Sequence, residues 1–195
     1  MLKPMFSAIV FAVTLSSWTL LSAQVPVPEP PAIGATSYVL VDFHSETVLA
    51  AEEPDVPVEP ASITKLMTSY VAFQEISRGN LSLDDEVLVS EKAWRTPGSR
   101  MFIEVGDRIR VEDLLKGIII QSGNDASVAL AEHIAGDETV FASMMNEAAA
   151  RLGMTGTQYV NATGLPDSNQ YTTAADSARL ARALIRDFPD FYGWY

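Results

Sequence analysis

The strongest constraint on the fold is Pro60-Ala61-Ser62-Ile63-Thr64-Lys65-Leu66-Met67-Thr68-Ser69-Tyr70, an apolar stretch in which a lysine stands alone. Ile63, Leu66, Met67, Tyr70 and Val71 recur at i, i+3, i+4, i+7 and i+8, the period of one core-facing stripe of an α-helix. Ser62, Lys65 and Ser69 then share another face. Between Glu59 and Glu75 the only charged residue is Lys65, so the segment places one cation on an otherwise buried element. Burial disfavours the ammonium form, and the positive end of the helix dipole at the first turn acts in the same direction. A neutral amine one helical turn from a serine hydroxyl can take its proton, which is the activation an alcohol nucleophile needs near neutral pH. The same pattern also fits an N-capping serine followed by a lysine that snorkels to the surface, so the surroundings must decide.

A chain of 195 residues with 48% hydrophobic composition supports one ordinary core. Met5 to Leu21 carries no charge, follows Lys3 and leads to Leu21-Ser22-Ala23. Residues 1–23 are therefore expected to be a cleaved secretory signal peptide, with an uncleaved membrane anchor as the competing reading. Residues 24–35, QVPVPEPPAIGA, have four prolines and no helical or strand period, and read as an extended linker before a folded part at 36–195. The net charge of -12 argues against nonspecific nucleic-acid binding and against docking on anionic lipid through a basic surface. With no cysteine there is no disulfide framework and no thiolate metal site. His44 and His133 lie far apart without an HExxH pattern, so no metal is expected.

Thr36 to Asp42 and Thr47 to Ala51 read as a partly buried β-hairpin, and Arg78-Gly79-Asn80 closes the Ser62 helix. Leu81 to Arg100 has neither period and is expected to be mostly irregular, apart from the short run Val87-Leu88-Val89. Positions 111, 114, 115, 118 and 119 mark a helix from Val111 that runs into Gln121-Ser122-Gly123-Asn124-Asp125. Another helix, from about Asp125 to Ala135, is stopped by Gly136, so Ser122 to Asn124 should form a tight inter-helix turn. A helix from Asp137 or Glu138 to Leu152 follows, then a loop from Gly156 to Tyr171 long enough to wall a pocket. The last helix starts at Thr173, with Asp176 completing a weak capping box, and ends before Pro189.

The blocks PASITKLMTSY, GSRMF, VEDLLKGIIIQSGNDASVALAEHIAG, MNEAAARLGMTGTQYVNATGLPD and YTTAADSARLARALI stand in a familiar order and spacing. Together they resemble the D-alanyl-D-alanine carboxypeptidases of peptidase S11 type among the low-molecular-mass penicillin-binding proteins, over most of Thr36 to Tyr195. The resemblance implies an α/β (α+β) fold of the serine β-lactamase/transpeptidase kind, a helical cluster packed on an antiparallel sheet. It implies that Ser62 attacks the carbonyl between the two terminal D-alanines of a peptidoglycan stem peptide while Lys65 takes its proton, and that an acyl-enzyme is then hydrolysed. Ser122 would relay protons with Lys65, and Gly123 and Asn124 would bind substrate or the Asn124 amide would orient Lys65, with the bland alternative that Ser122 or Asn124 only caps a helix. The Ser62 backbone N–H would be one oxyanion donor. β-Lactam antibiotics would acylate the same serine. No cofactor is implied. The location would be periplasmic or otherwise extracytoplasmic, and any membrane association would use a segment not present here.

The family's Lys-Thr-Gly motif does not occur in the sequence, so the expectation is a chain truncated before it, lacking the C-terminal sheet strands, with its own activity open. Two other readings compete. A class A-like β-lactamase would need S-D-N and a deacylating glutamate, but Gly123 stands in place of the aspartate and residues 155 to 172 contain no glutamate. A non-catalytic murein-binding protein of the same fold would keep the scaffold without the chemistry.

Overall fold

The computed structural model describes residues 32–195; the expected signal peptide and residues 24–31 of the expected linker lie outside them. Strands β1 (Tyr38–Val41) and β2 (Val48–Glu52) pair antiparallel, with Val39 opposite Ala51, Leu40 opposite Ala50 and a register shift between Leu40 and Val41. Asp42 closes the connection: its Oδ1 accepts from the Ser45 N–H at 2.7 Å and from the Ser45 hydroxyl at 2.8 Å. The hairpin forms where expected and is partly buried: Val39 and Val41 are half-buried, whereas Leu40, Val48 and Leu49 are each more than half exposed.

Ser62 does not lie on an α-helix. Ala61–Ile63 form a single 3₁₀ turn entered through Ala61 at φ +43°, and helix α1 (Thr64–Ser77) begins after it. Helix α1 is also not amphipathic in the expected way. Met67, Tyr70, Val71, Ala72 and Phe73 are buried, but so are Thr64, Lys65, Thr68 and Ser69, while Ile63 is 49% exposed. A helix surrounded on most sides has no polar face to pattern, and α1 is touched by four later helices. Gly79, at φ +75°, supplies the left-handed residue that turns the chain away beyond its end.

Residues 81–100 are mostly irregular, as expected, with a strand over the short apolar run and one short helix that the sequence did not indicate. Strand β3 (Glu86–Leu88) pairs antiparallel with β4 (Arg108–Arg110), Val87 facing Ile109. Between them lies the short helix α2 (Glu91–Arg95), started by Ser90, whose hydroxyl accepts from the Ala93 N–H at 3.0 Å. A three-residue strand at β4 and a five-residue helix at α2 are too short to express a period, so only the apolar run at β3 is visible in the sequence.

The remaining helices stand where the apolar period put them. They are α3 (Val111–Gln121), α4 (Asn124–Ala135), α5 (Glu138–Arg151) and α6 (Ala174–Asp187); a short α7 (Pro189–Tyr192), not expected from the sequence, follows them. Gly136 ends α4 at φ +78°, and Asp137 caps α5 by accepting from the Thr139 N–H at 2.7 Å. Thr173 caps α6, its Oγ1 accepting from the Asp176 N–H at 3.0 Å. The capping box is only half formed. The Asp176 carboxylate turns instead to the Gly156 N–H and the Thr157 hydroxyl, each at 2.8 Å, and ties the 155–172 loop to α6.

The core is the space between α1 and α3 to α6, filled by Met67, Phe73, Leu114, Leu115, Leu130, Phe141, Met145 and Leu180. The chain's aromatic end closes one side, with the Phe191 ring stacked on Phe73 at 4.3 Å. No helix among the described residues is long and apolar enough to cross a membrane.

Candidate active site

Lys65 occupies the first turn of α1 and is 5% exposed. Its Nζ donates to the Thr163 carbonyl at 2.6 Å and to Ser62 Oγ at 3.4 Å. Burial alone lowers its ammonium from 10.5 to about 8. Near neutral pH about a tenth of the molecules therefore carry the neutral amine, against well under a thousandth for an ordinary lysine.

Ser62 stands at the mouth, exposed, on the turn that leads into α1. Ser122 approaches it from the other side and donates its hydroxyl to Ser62 Oγ at 2.9 Å, across sixty residues of sequence. Ser122 follows α3 directly and is held left-handed, at φ +56° and ψ +37°, a conformation costly for a residue with a Cβ. It is the C-cap residue of α3 and not an N-cap: the N-cap position of α4 is Gly123, which has no side chain to offer. Holding a serine where a glycine would be easier is the local strain typical of functional sites.

Asn124 is buried; its Nδ2 donates to the Pro97 carbonyl at 2.7 Å and its N–H to the Ser99 carbonyl at 2.7 Å. Both bonds lock the 97–99 loop onto α4, and no bond joins Asn124 to Lys65. Gly123 is enclosed, since a Cβ there would stand 3.2 Å from the Met101 N–H nitrogen and 3.1 Å from Asp125 Oδ1. Its missing side chain lets the 99–103 segment come close.

Asp125, which carries no site signal of its own in the sequence, organises that segment. Fully buried, its Oδ1 accepts from the Met101 N–H at 2.8 Å and its Oδ2 from the Phe102 N–H at 2.8 Å. An acidic residue in the first helical turn after a serine-glycine pair was the available signal, and it reads equally as a dipole preference. The Thr163 carbonyl was invisible for a different reason: a backbone acceptor has no residue type.

Ser62, Lys65, Leu66, Ser69, Ile118, Ile119, Ser122 and Tyr195 line a cavity of about 240 Å³. No Asp or Glu side chain is among them. The Ser69 hydroxyl is wholly buried there without a hydrogen-bond partner, and the Tyr195 ring forms one wall. Among the described residues no three His, Cys, Asp or Glu side chains converge on a point that a metal could occupy. The arrangement is a hydroxyl nucleophile between a poised amine and a second hydroxyl, which is chemistry for acyl transfer.

The family described as D-alanyl-D-alanine carboxypeptidase, Peptidase S11, matches residues 24–195. The chain is similar to D-alanyl-D-alanine carboxypeptidase DacC of Escherichia coli, 44% identical over 170 residues that cover 84% of this chain and 42% of the relative. It is similar to DacA of Haemophilus influenzae at 41% identity, covering 85% of this chain and 43% of the relative. The fold is similar to that of penicillin binding protein 5 from Haemophilus influenzae, with a TM-score of 0.84 at 41% identity, over 87% of this chain and 50% of that structure. The chain thus spans less than half the length of these curated relatives. It belongs to the Peptidase S11 family of D-alanyl-D-alanine carboxypeptidases.

Proposed function

We propose that this chain carries the nucleophile and base of a serine D-alanyl-D-alanine carboxypeptidase acting on peptidoglycan stem peptides outside the cytoplasm, with residues 1–23 as its export signal. Ser62 Oγ attacks the carbonyl of the penultimate D-alanine and Lys65 takes the hydroxyl proton. Ser122 passes a proton to the leaving amine. The bond between the two D-alanines breaks, free D-alanine departs, and water hydrolyses the ester on Ser62. The backbone N–H of Ser62 is one donor to the oxyanion. Gly123 and Asn124 shape the substrate side through the 97–101 loop they hold, and the Asn124 side-chain oxygen is available to a peptide amide. A β-lactam would acylate the same oxygen, its ring amide opening in place of the peptide bond.

The observation that carries this reading is the continuous run of Ser122 Oγ, Ser62 Oγ and Lys65 Nζ, at 2.9 and 3.4 Å, with the amine depressed to about 8. The longer contact is the one expected to tighten when substrate closes the site. No Asp or Glu side chain lines the cavity, which supports slow clearance of a β-lactam acyl-enzyme over rapid turnover. The test is intact mass after incubation with a labelled penicillin, beside Ser62→Ala. One stoichiometric adduct mapped to Ser62, with nitrocefin opened once and not turned over, is the expected result. Folded protein that takes no adduct sinks the reading, and rapid turnover replaces it with a β-lactamase.

A further inference from the structure

Consecutive carbonyls of the 155–172 loop are gripped by α1, and the way they are presented has a single origin. Thr68 Oγ1 donates to the Ala162 carbonyl at 2.7 Å and Lys65 Nζ to the Thr163 carbonyl at 2.6 Å. Gly164, the next residue, lies at φ +86° with its α-carbon against the Ala61 carbonyl, so that any Cβ would overlap it. Residues 162–164 therefore touch both the base and the residue that precedes the nucleophile.

A chain turning this sharply in a buried place needs its polar groups paired, and Asn161 pairs them. Its Oδ1 accepts from the Gly164 N–H at 2.8 Å, from the Thr163 N–H and hydroxyl at 3.1 Å each, and from Gln170 Nε2 at 3.2 Å. Its Nδ2 donates to the Leu165 carbonyl at 3.0 Å. Gln170, buried behind it, accepts at Oε1 from the Val160 and Asn161 N–H groups at 3.0 and 3.1 Å. One amide thus knots residues 161–165 and leaves the Thr163 carbonyl pointing at the amine.

We propose that Asn161 is a positioning residue of the acyl-transfer site, which fixes the Lys65 amine beside Ser62 through the Thr163 carbonyl it orients. The inference rests on the reading of Lys65 as the base. Freed of Asn161, the turn loses four accepted hydrogen bonds, the carbonyl drifts, and water reaches an amine that depends on being dry. The groups around the amine are few. Tyr195 is the titratable group in its cavity besides Lys65 itself, and Glu138, paired with Lys92 at 2.9 Å, reaches the loop from α5 by accepting from the Ala162 N–H at 3.1 Å.

The test is the titration of Lys65 in the 195-residue chain, followed by the NMR shift of its labelled Cε, together with the acylation rate by a fluorescent penicillin. In Asn161→Ala the titration is expected to rise from about 8 toward the ordinary 10.5, and acylation near neutral pH to fall about tenfold. Asn146→Ala is the comparison. Asn146 pins the same loop farther away, binding the Tyr159 N–H and carbonyl at 2.8 Å each, so its loss costs stability and leaves Lys65 near 8. If Asn161→Ala does not fold, Asn161→Ser keeps one acceptor and is expected to show a smaller rise in the same direction. A folded Asn161 variant whose Lys65 stays near 8, or an equal rise in Asn146→Ala, overturns the inference alone. Wild-type Lys65 titrating near 10.5 removes the base reading itself.

Discussion

Helix α1 is enclosed by α3, α4, α5 and α6, whereas the β1–β2 hairpin leaves Leu40, Val48 and Leu49 56%, 58% and 56% exposed. Both segments are apolar in sequence. The difference is what they pack against: α1 meets four amphipathic helices, while the hairpin rests one face on α6 and presents the other to solvent. The proposed acyl transfer would need atoms held to fractions of an ångström, and the enclosed helix holds Lys65, with Ser62 on the turn that leads into it and Ser122 beside it. The hairpin, with few buried apolar contacts, is the part free to shift or to accept further pairing along its edge.

The largest test of that contrast is a pair of truncations. Phe141, fully buried on α5, should cost about 4 kcal/mol when cut to alanine, because a cavity remains where the ring was. Leu49→Ala, on the exposed face of β2, should change stability by less than about 0.5 kcal/mol. Urea unfolding of the two variants decides it. Equal losses would mean that the hairpin belongs to the same cooperative core.

A second test uses the cost of burying the base. Lys65 has its folded value lowered, so between about 8 and 10.5 the unfolded chain binds more protons and stability rises with pH. Below about 8 the whole penalty is present, roughly 3 kcal/mol for an ammonium shifted this far. Lys65→Met removes the titration. Its stability relative to wild type should therefore fall by about 2 kcal/mol between pH 7 and pH 10, as wild type recovers what burial cost it. A pH-independent difference would show that the amine is solvated. Whatever that curve, the variant should take no penicillin adduct.

The contrast also separates what the sequence could reveal from what it could not. Helices α3 to α6 are one-sided and long enough to show their period, and their caps at Gly136, Asp137 and Thr173 stand at the positions that residue type marks. Helix α1 is the exception because it is surrounded: Thr64, Thr68 and Ser69 are as buried as Met67, so a two-faced reading misplaced Ile63 and put Ser62 a turn too far into the helix. Ser62 and Lys65 nonetheless stand out in the sequence as a serine one turn from a lone lysine in an apolar run, whereas Ser122 is singled out only by the resemblance of its serine-glycine-asparagine turn to the family's motif, and the fold brings the three side chains together. Thr163 contributes through its carbonyl, and Asn161 and Asp125 through bonds to backbone N–H groups. Those partners exist only once the chain has folded.

The smallest predicted effect lies where the hairpin meets the helices. Arg182 on α6 donates from Nε to the Phe43 carbonyl at 2.9 Å, pairs with Glu46 at 2.7 Å, and stands over the Phe43 ring at 5.9 Å. Glu46 is mostly exposed, so the ion pair is screened and the carbonyl bond carries more of the attachment. Arg182→Ala should lower global stability by no more than about 1 kcal/mol, yet the loss falls on one place. Hydrogen exchange in β1 and β2 should quicken about fivefold while α1 keeps its protection, because the local opening of the hairpin does not require the helices to part. Faster exchange in α1 as well would join the two regions into one unit. In that case the acylation rate at Ser62 should fall with the hairpin's stability, whereas separate regions leave it unchanged.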